Sequence, residues 1–171
     1  MANVFDNIVG TEHIVAESSM LKATGAGHIL SMKCHKDLDN GSIVTRGTFV
    51  EEQIFNSADY AEGKKPYLVL TPPYGYNSDR RSYKDEKYFY NASGEVARCY
   101  ELYVDDIFTV SADAITALAD APVVGNYVSV NGGLYQEAAS AGDAGFVAQI
   151  IEKVNYTNSV SYRLHVISLG I

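Results

Sequence analysis

The sequence predicts an all-β protein: a small barrel or sandwich of short antiparallel strands with one short helix and a long Tyr-rich loop. Three observations predict it. Short runs rich in β-branched and aromatic residues recur along the chain. Clusters of Gly, Asn, Asp and Pro break them at intervals of roughly 8 to 12 residues, the spacing of sandwich and barrel turns. Only one window carries helical spacing. The 171 residues suit one ordinary domain, and 47% apolar against 20% charged residues is enough to bury a core.

Residues 1–26 hold Gly and Ser and read either as an N-terminal arm that orders on meeting a partner or as an ordinary edge strand. Residues 27–171 form the β domain, as one unit or as two lobes, 27–99 and 100–171. The extended runs 28–36 and 42–50 flank Asn40-Gly41, the favoured pair for a type I′ turn, so a hairpin is expected there. Residues 51–56 continue the second strand or start another, and Tyr67 to Leu70 form a short strand stopped by Thr71-Pro72-Pro73. Residues 95–103 and 107–110 read as strands separated by Asp105-Asp106.

Residues 111–120 carry Ala112, Ile115, Leu118 and Ala119 at helical spacing behind a capping Ser111, which predicts a helix of two to three turns. Strands follow at 126–130, 134–139, 146–155 and 159–169, the first two joined by Asn131-Gly132-Gly133. The last residues, paired in a strand, should be ordered.

Residues 60–90 differ from the rest. They hold seven of the thirteen tyrosines and three of the four prolines. Residues 59–90 have six basic against five acidic side chains, net +1, which leaves −9 on the rest of a chain whose total is −8. Tyrosine offers rigid contact area with a polar tip and arginine is favoured at interfaces, so Tyr74, Tyr76, Arg80, Arg81, Tyr83 and Tyr88 are the candidate partner-binding residues. Their alternative is a solvated loop covering a sheet edge.

The acidic balance disfavours direct nucleic-acid binding, which draws its affinity from neutralising phosphates. The longest apolar-leaning stretch, 112–124, is interrupted by Asp113 and Asp120 and falls short of the roughly 20 residues of a membrane helix, so no membrane partner is expected. The N-terminus has no basic region followed by an unbroken apolar run, which argues against a secretory signal and for two buried free thiols, Cys34 and Cys99, rather than a disulfide.

No motif announces catalysis. Residues 37–41 begin like a calcium loop, but Ser42 and Thr48 stand where an EF-hand needs Gly and Glu. Walker, Rossmann, nucleophile-elbow and zinc-protease signatures are missing, and Gly25-Ala26-Gly27 precedes a strand instead of a helix. The expectation is therefore no enzyme, no cofactor, no catalytic residue and no metal. An enzyme would need His35 or His165 to converge with a carboxylate in a pocket.

Four segments resemble a group of tailed-bacteriophage virion proteins, the small auxiliary or decoration proteins encoded beside the major capsid protein. They are 37–44 (DLDNGSIV) with Gly47, 100–113 (YELYVDDIFTVSAD), 124–130 (VGNYVSV) and 145–153 (GFVAQIIEK). The resemblance spans most of 28–171 and rests on turn-and-strand phrases. It implies a non-enzymatic protein made in the bacterial host cytoplasm that binds the major capsid protein on the capsid exterior and stabilises the shell. It also implies self-association, often as a trimer at local threefold positions. The alternatives are a tail or head-fibre structural component and a carbohydrate- or partner-binding β-module.

Overall fold

The computed structural model describes residues 12–25, 27–73, 85–142 and 145–171. Among the described residues twelve strands form two sheets. In chain order they are β1 (Ala16–Met20), β2 (Ile29–Lys33), β3 (Ile43–Glu51), β4 (Ile54–Asp59), β5 (Pro66–Val69), β6 (Val96–Glu101), β7 (Ile107–Ser111), β8 (Ile115–Thr116), β9 (Tyr127–Asn131), β10 (Leu134–Ala138), β11 (Val147–Tyr156) and β12 (Ser159–Ser168). One sheet has the order β1-β7-β12-β11-β9-β10-β8. The other runs β2-β4-β3-β5-β6 and closes, with β6 back against β2. The chain is thus largely β-sheet, as the sequence predicts, but the pairing is mixed: β2 lies parallel to β4 and β8 parallel to β10.

Alternation assigns the faces. In β12, Tyr162, Leu164 and Val166 point inward while Arg163, His165 and Ile167 are more exposed, the period of two that a half-buried strand requires. In the ring, Val44, Tyr67, Val69, Ala97 and Cys99 pack with Met32, Cys34 and Leu38 in one cluster. Their neighbours Ile43, Leu68 and Leu102 join Phe108, Val110, Tyr135, Phe146, Tyr162 and Leu164 of the large sheet in the other. Strands β3 and β5 are therefore a wall shared by two cores. Each fully buried aromatic or aliphatic side chain there contributes about 1.5–3 kcal/mol of transfer free energy.

The chain around Asn40-Gly41 departs from the expected hairpin. Strands β2 and β3 are not neighbours in the ring. Asn40 is buried, and its side-chain amide exchanges hydrogen bonds with the backbone of Thr71, donating to O and accepting from N, both at 2.9 Å. Gly41 has φ 91° and lies where a Cβ would meet Val110 Cγ1 at 3.1 Å and Ala16 Cβ at 3.2 Å. Its carbonyl accepts the buried Tyr135 hydroxyl at 2.7 Å. The Asn-Gly pair does turn the chain, Ser42 N–H donating to Asp39 O at 3.2 Å, but tertiary bonds fix this turn between the two sheets and it joins no pair of neighbouring strands.

The hairpin after β3 instead turns at Glu52-Gln53, both at positive φ, joining β3 to β4. Thr157-Asn158 does the same between β11 and β12, and Gly132-Gly133 between β9 and β10, as expected for the last. The predicted helix at 111–120 is absent. A single 3₁₀ turn, Ala112–Ala114, leads directly into β8, because Ile115 is drawn into the core and paired with Tyr135. From the segment 1–26, Ala16–Met20 is an edge strand antiparallel to β7, with Ile14 and Val15 buried just before it.

Candidate functional site

Of the six residues singled out in the sequence, Tyr74, Tyr76, Arg80, Arg81 and Tyr83 lie outside the described residues. Tyr88 is half-buried at the end of a 3₁₀ turn, Glu86–Tyr88, capped by Asp85, whose carboxylate accepts the Lys87 N–H at 3.2 Å. The same turn meets the start of the chain where His13 N–H donates to Lys87 O.

Both histidines named for an enzyme do meet carboxylates. His165 Nε2 lies 3.4 Å from Asp105 Oδ1. His35 places Nδ1 2.8 Å from Ser57 Oγ and Nε2 3.1 Å from Asp59 Oδ1, while Lys36 Nζ is 2.6 Å from the same oxygen. Lys36, ahead of His35, holds the Asp59 carboxyl below its usual range despite partial burial. The residue types are those of a nucleophile, base and orienter, but Ser57 is only 4% exposed and its Oγ accepts the His35 backbone N–H at 3.1 Å. A hydroxyl so held has no access to a substrate carbonyl. The set fastens β4 to the chain leaving β2.

Residues 37–41 likewise spend their carboxylates on structure. Asp37 accepts the Ser93 N–H at 2.8 Å, and Asp39 accepts His13 Nδ1 at 2.8 Å. Among the described residues no group of three or more His, Cys, Asp or Glu could hold a metal ion. Cys34 and Cys99 are free and buried; burial pushes the Cys34 thiol up to about 11 and raises that of Cys99 further.

A concave site that the sequence reading missed opens on the ring. It has a volume of about 360 Å³ and is lined by Gly27, Thr45, Arg46, Lys64, Lys65, Tyr67 and Glu101. Strand β6 places Glu101 at its base, where β5 supplies Tyr67 directly across the ladder. Glu101 is 5% exposed, and such a charge persists only when paired. Lys65 Nζ is 2.5 Å from Oε1, and His28 Nδ1 is 3.2 Å from Oε2 and 2.6 Å from the Tyr103 hydroxyl. Burial raises the Glu101 carboxyl, but hydrogen bonds from Lys65, Tyr103 and His28 outweigh it and bring it below the usual range. Desolvation and the neighbouring Glu101 push the Tyr103 phenol up to about 12, and burial followed by Glu101 raises Tyr67. The phenols therefore stay protonated as donors at neutral pH.

Arg46 and Lys64 complete the lining and form no ion pair among the described residues. Arg46 instead lies over the Phe55 ring, Cζ 5.0 Å from its centroid. Chemically the site offers three cations around one compensated carboxylate, the makings of an anion-recognition surface. The sequence held one signal, the adjacent Lys64-Lys65, but not that His28, Arg46 and Glu101 would meet them.

A largely β-sheet domain carrying a cationic, ligand-sized concavity is the class that fold and site define. No family model matches the chain, and no curated protein matches it either.

Proposed function

We propose that the protein is a structural virion protein that docks on the outer surface of a tailed-bacteriophage capsid, with the major capsid protein as partner, and stabilises the shell. The four sequence segments given above support the class. The ring is read as a small barrel, and the residues 60–90 as a second contact region.

The docking rests on one observation, the β3–β4 hairpin beyond Thr45. Strand β5 pairs with β3 only over Ile43, Val44 and Thr45, and from Arg46 to Glu51 every residue of β3 is exposed. Phe49 is 62% exposed, packed edge-on to Phe55 at 5.7 Å between centroids, with Val50 exposed beside it. Strand β2 covers the other side of β4 over Ile54, Phe55 and Asn56, so the open edge is that of β3 from Arg46 to Glu51, a row of backbone groups that a strand from a partner can pair with. Exposed aromatics beside an arginine are the composition of interface anchors.

Co-sedimentation of the purified chain with capsid shells lacking it tests the proposal. Saturable binding at a defined stoichiometry is expected. Phe49→Ala should weaken attachment about tenfold or more, the loss of a contact worth at least 1.4 kcal/mol, and leave monomer stability within about 0.5 kcal/mol. A folded protein that does not bind shells overturns the capsid assignment.

A further inference from the structure

We infer that the pocket at the root of the β3–β4 hairpin is a receptor for a carboxylate: an aspartate or glutamate side chain on an acidic segment of a partner protein. The inference stands on the pocket alone, whichever particle or protein supplies that segment.

The first reason is charge. Arg46, Lys64 and Lys65 face one carboxylate, Glu101, so the lining carries an excess of two positive charges on a chain of net −8. A local reversal of sign in a concave site focuses the field there and draws in anions. The second is that the excess is not consumed internally. Lys65 is spent on Glu101, whereas Arg46 and Lys64 have no carboxylate among the described residues. The third is geometry: with its guanidinium already over Phe55, Arg46 presents its planar fork with part of its freedom lost in advance, and that fork matches a carboxylate by paired N–H···O bonds.

Glu101 sets the strength of the site. Its carboxylate offsets one of the three cations, so an entering carboxylate meets a net charge of +2 and is held by the Arg46 fork and the Lys64 ammonium. Glu101 also fixes Lys65, at 2.5 Å, so that the ammonium borders the pocket instead of sweeping through solvent. Arg46 belongs to both the pocket and the hairpin and lies over Phe55, whose ring meets the exposed Phe49, so the carboxylate site has an apolar neighbour. The matching partner segment has an acidic residue close to an apolar one.

The test is a titration of the ¹⁵N-labelled full chain, at low salt, with an end-capped tetraglutamate peptide, with end-capped tetraglutamine, and with inorganic phosphate. Saturable amide shifts at Gly27, Lys64 and Lys65 with tetraglutamate, absent with tetraglutamine and weaker with phosphate, are expected. The Arg46→Ala/Lys64→Ala variant should bind about tenfold more weakly or worse, since truncating charges at such a contact removes the attraction directly. Both side chains are exposed, so the variant keeps its fold; Lys64→Gln, which keeps the stem, gives a second reading with a smaller loss. No saturable shift at these amides, equal shifts with tetraglutamine, an unchanged double variant, or tighter binding of phosphate would each overturn the assignment.

Discussion

Glu101 and Glu137 are the two buried glutamates of the molecule's described part, 5% and 2% exposed, and the fold holds each carboxyl below its usual range in a different way. Around Glu137 the donors are neutral and fixed. Leu118 N–H at 2.9 Å, Val123 N–H at 2.8 Å and Asn126 Nδ2 at 2.7 Å occupy both oxygens and pin the loop between β8 and β9. Around Glu101 the partners are Lys65, His28 and Tyr103, side chains that reach in from the rim of an open pocket. Burial pushes both carboxyls up; backbone and amide donors overcome it in one, mainly charged and phenolic groups in the other. A carboxylate saturated by backbone is a latch. One balanced by side-chain cations belongs to a set of charges whose surplus is left for a ligand.

The largest effect that could break this comparison is Glu137→Ala. It leaves two part-buried N–H donors and the Asn126 amide without their acceptor and should cost about 1–3 kcal/mol in urea unfolding, with Glu137→Gln losing about half as much because one oxygen remains. A loss below about 0.5 kcal/mol, the level of an ordinary surface change, would mean that Glu137 is no latch.

Acid comes next. A carboxyl whose folded value lies below its unfolded one stabilises the fold at every pH above the unfolded value, and that stability disappears as pH falls through the folded value. Glu101 and Glu137 both have this sign, so urea stability should hold from neutral pH down to the ordinary glutamate range and then decline. Asp106, raised by burial although it accepts the N–H groups of Lys22 and Tyr103, acts in the opposite sense and blunts the decline. Repeating the series with Glu137→Gln should flatten the acid limb more than with Glu101→Gln. The smallest effect is that of Glu101→Gln at neutral pH, about 1 kcal/mol or less, because Lys65 and His28 are half exposed and solvent screens them. A larger loss there than at Glu137 would reverse the roles assigned to the two sites.

Strands were legible wherever alternation or an unbroken apolar run met a turn residue. The strand bounds expected at 126–130, 134–139, 146–155 and 159–169 lie within two residues of β9 to β12. What was lost has one physical cause: a local signal outbid by distant partners. Asn40-Gly41 is a strong hairpin pair, but Thr71, Asn91 and Tyr135 claim its polar groups from across the fold. Asn40-Gly41 turns the chain without making a hairpin, and the hairpin turn sits at Glu52-Gln53, where no residue preference for positive φ announces it. The helical spacing of 111–120 gave way because Ile115 pairs with Tyr135 and Glu137 takes the Leu118 N–H. The pocket failed to show for the same reason, since His28 and Glu101 are 73 residues apart and meet only once β2 and β6 are paired.

The register of β1 has a consequence for how the chain is made. Strands β2 to β6, residues 29–101, are one continuous stretch, so the ring can close on itself without either end of the chain. Strand β1 is different: Ala16 faces Val110 and Met20 faces Ile107, so it has no partner until synthesis has passed β7. Until then Ile14, Val15 and Ala16, all buried in the finished fold, stay in water. Among the described strands β1 is synthesised ahead of the ring yet seated only after β7, and for that interval its unpaired edge is open to a neighbouring nascent chain.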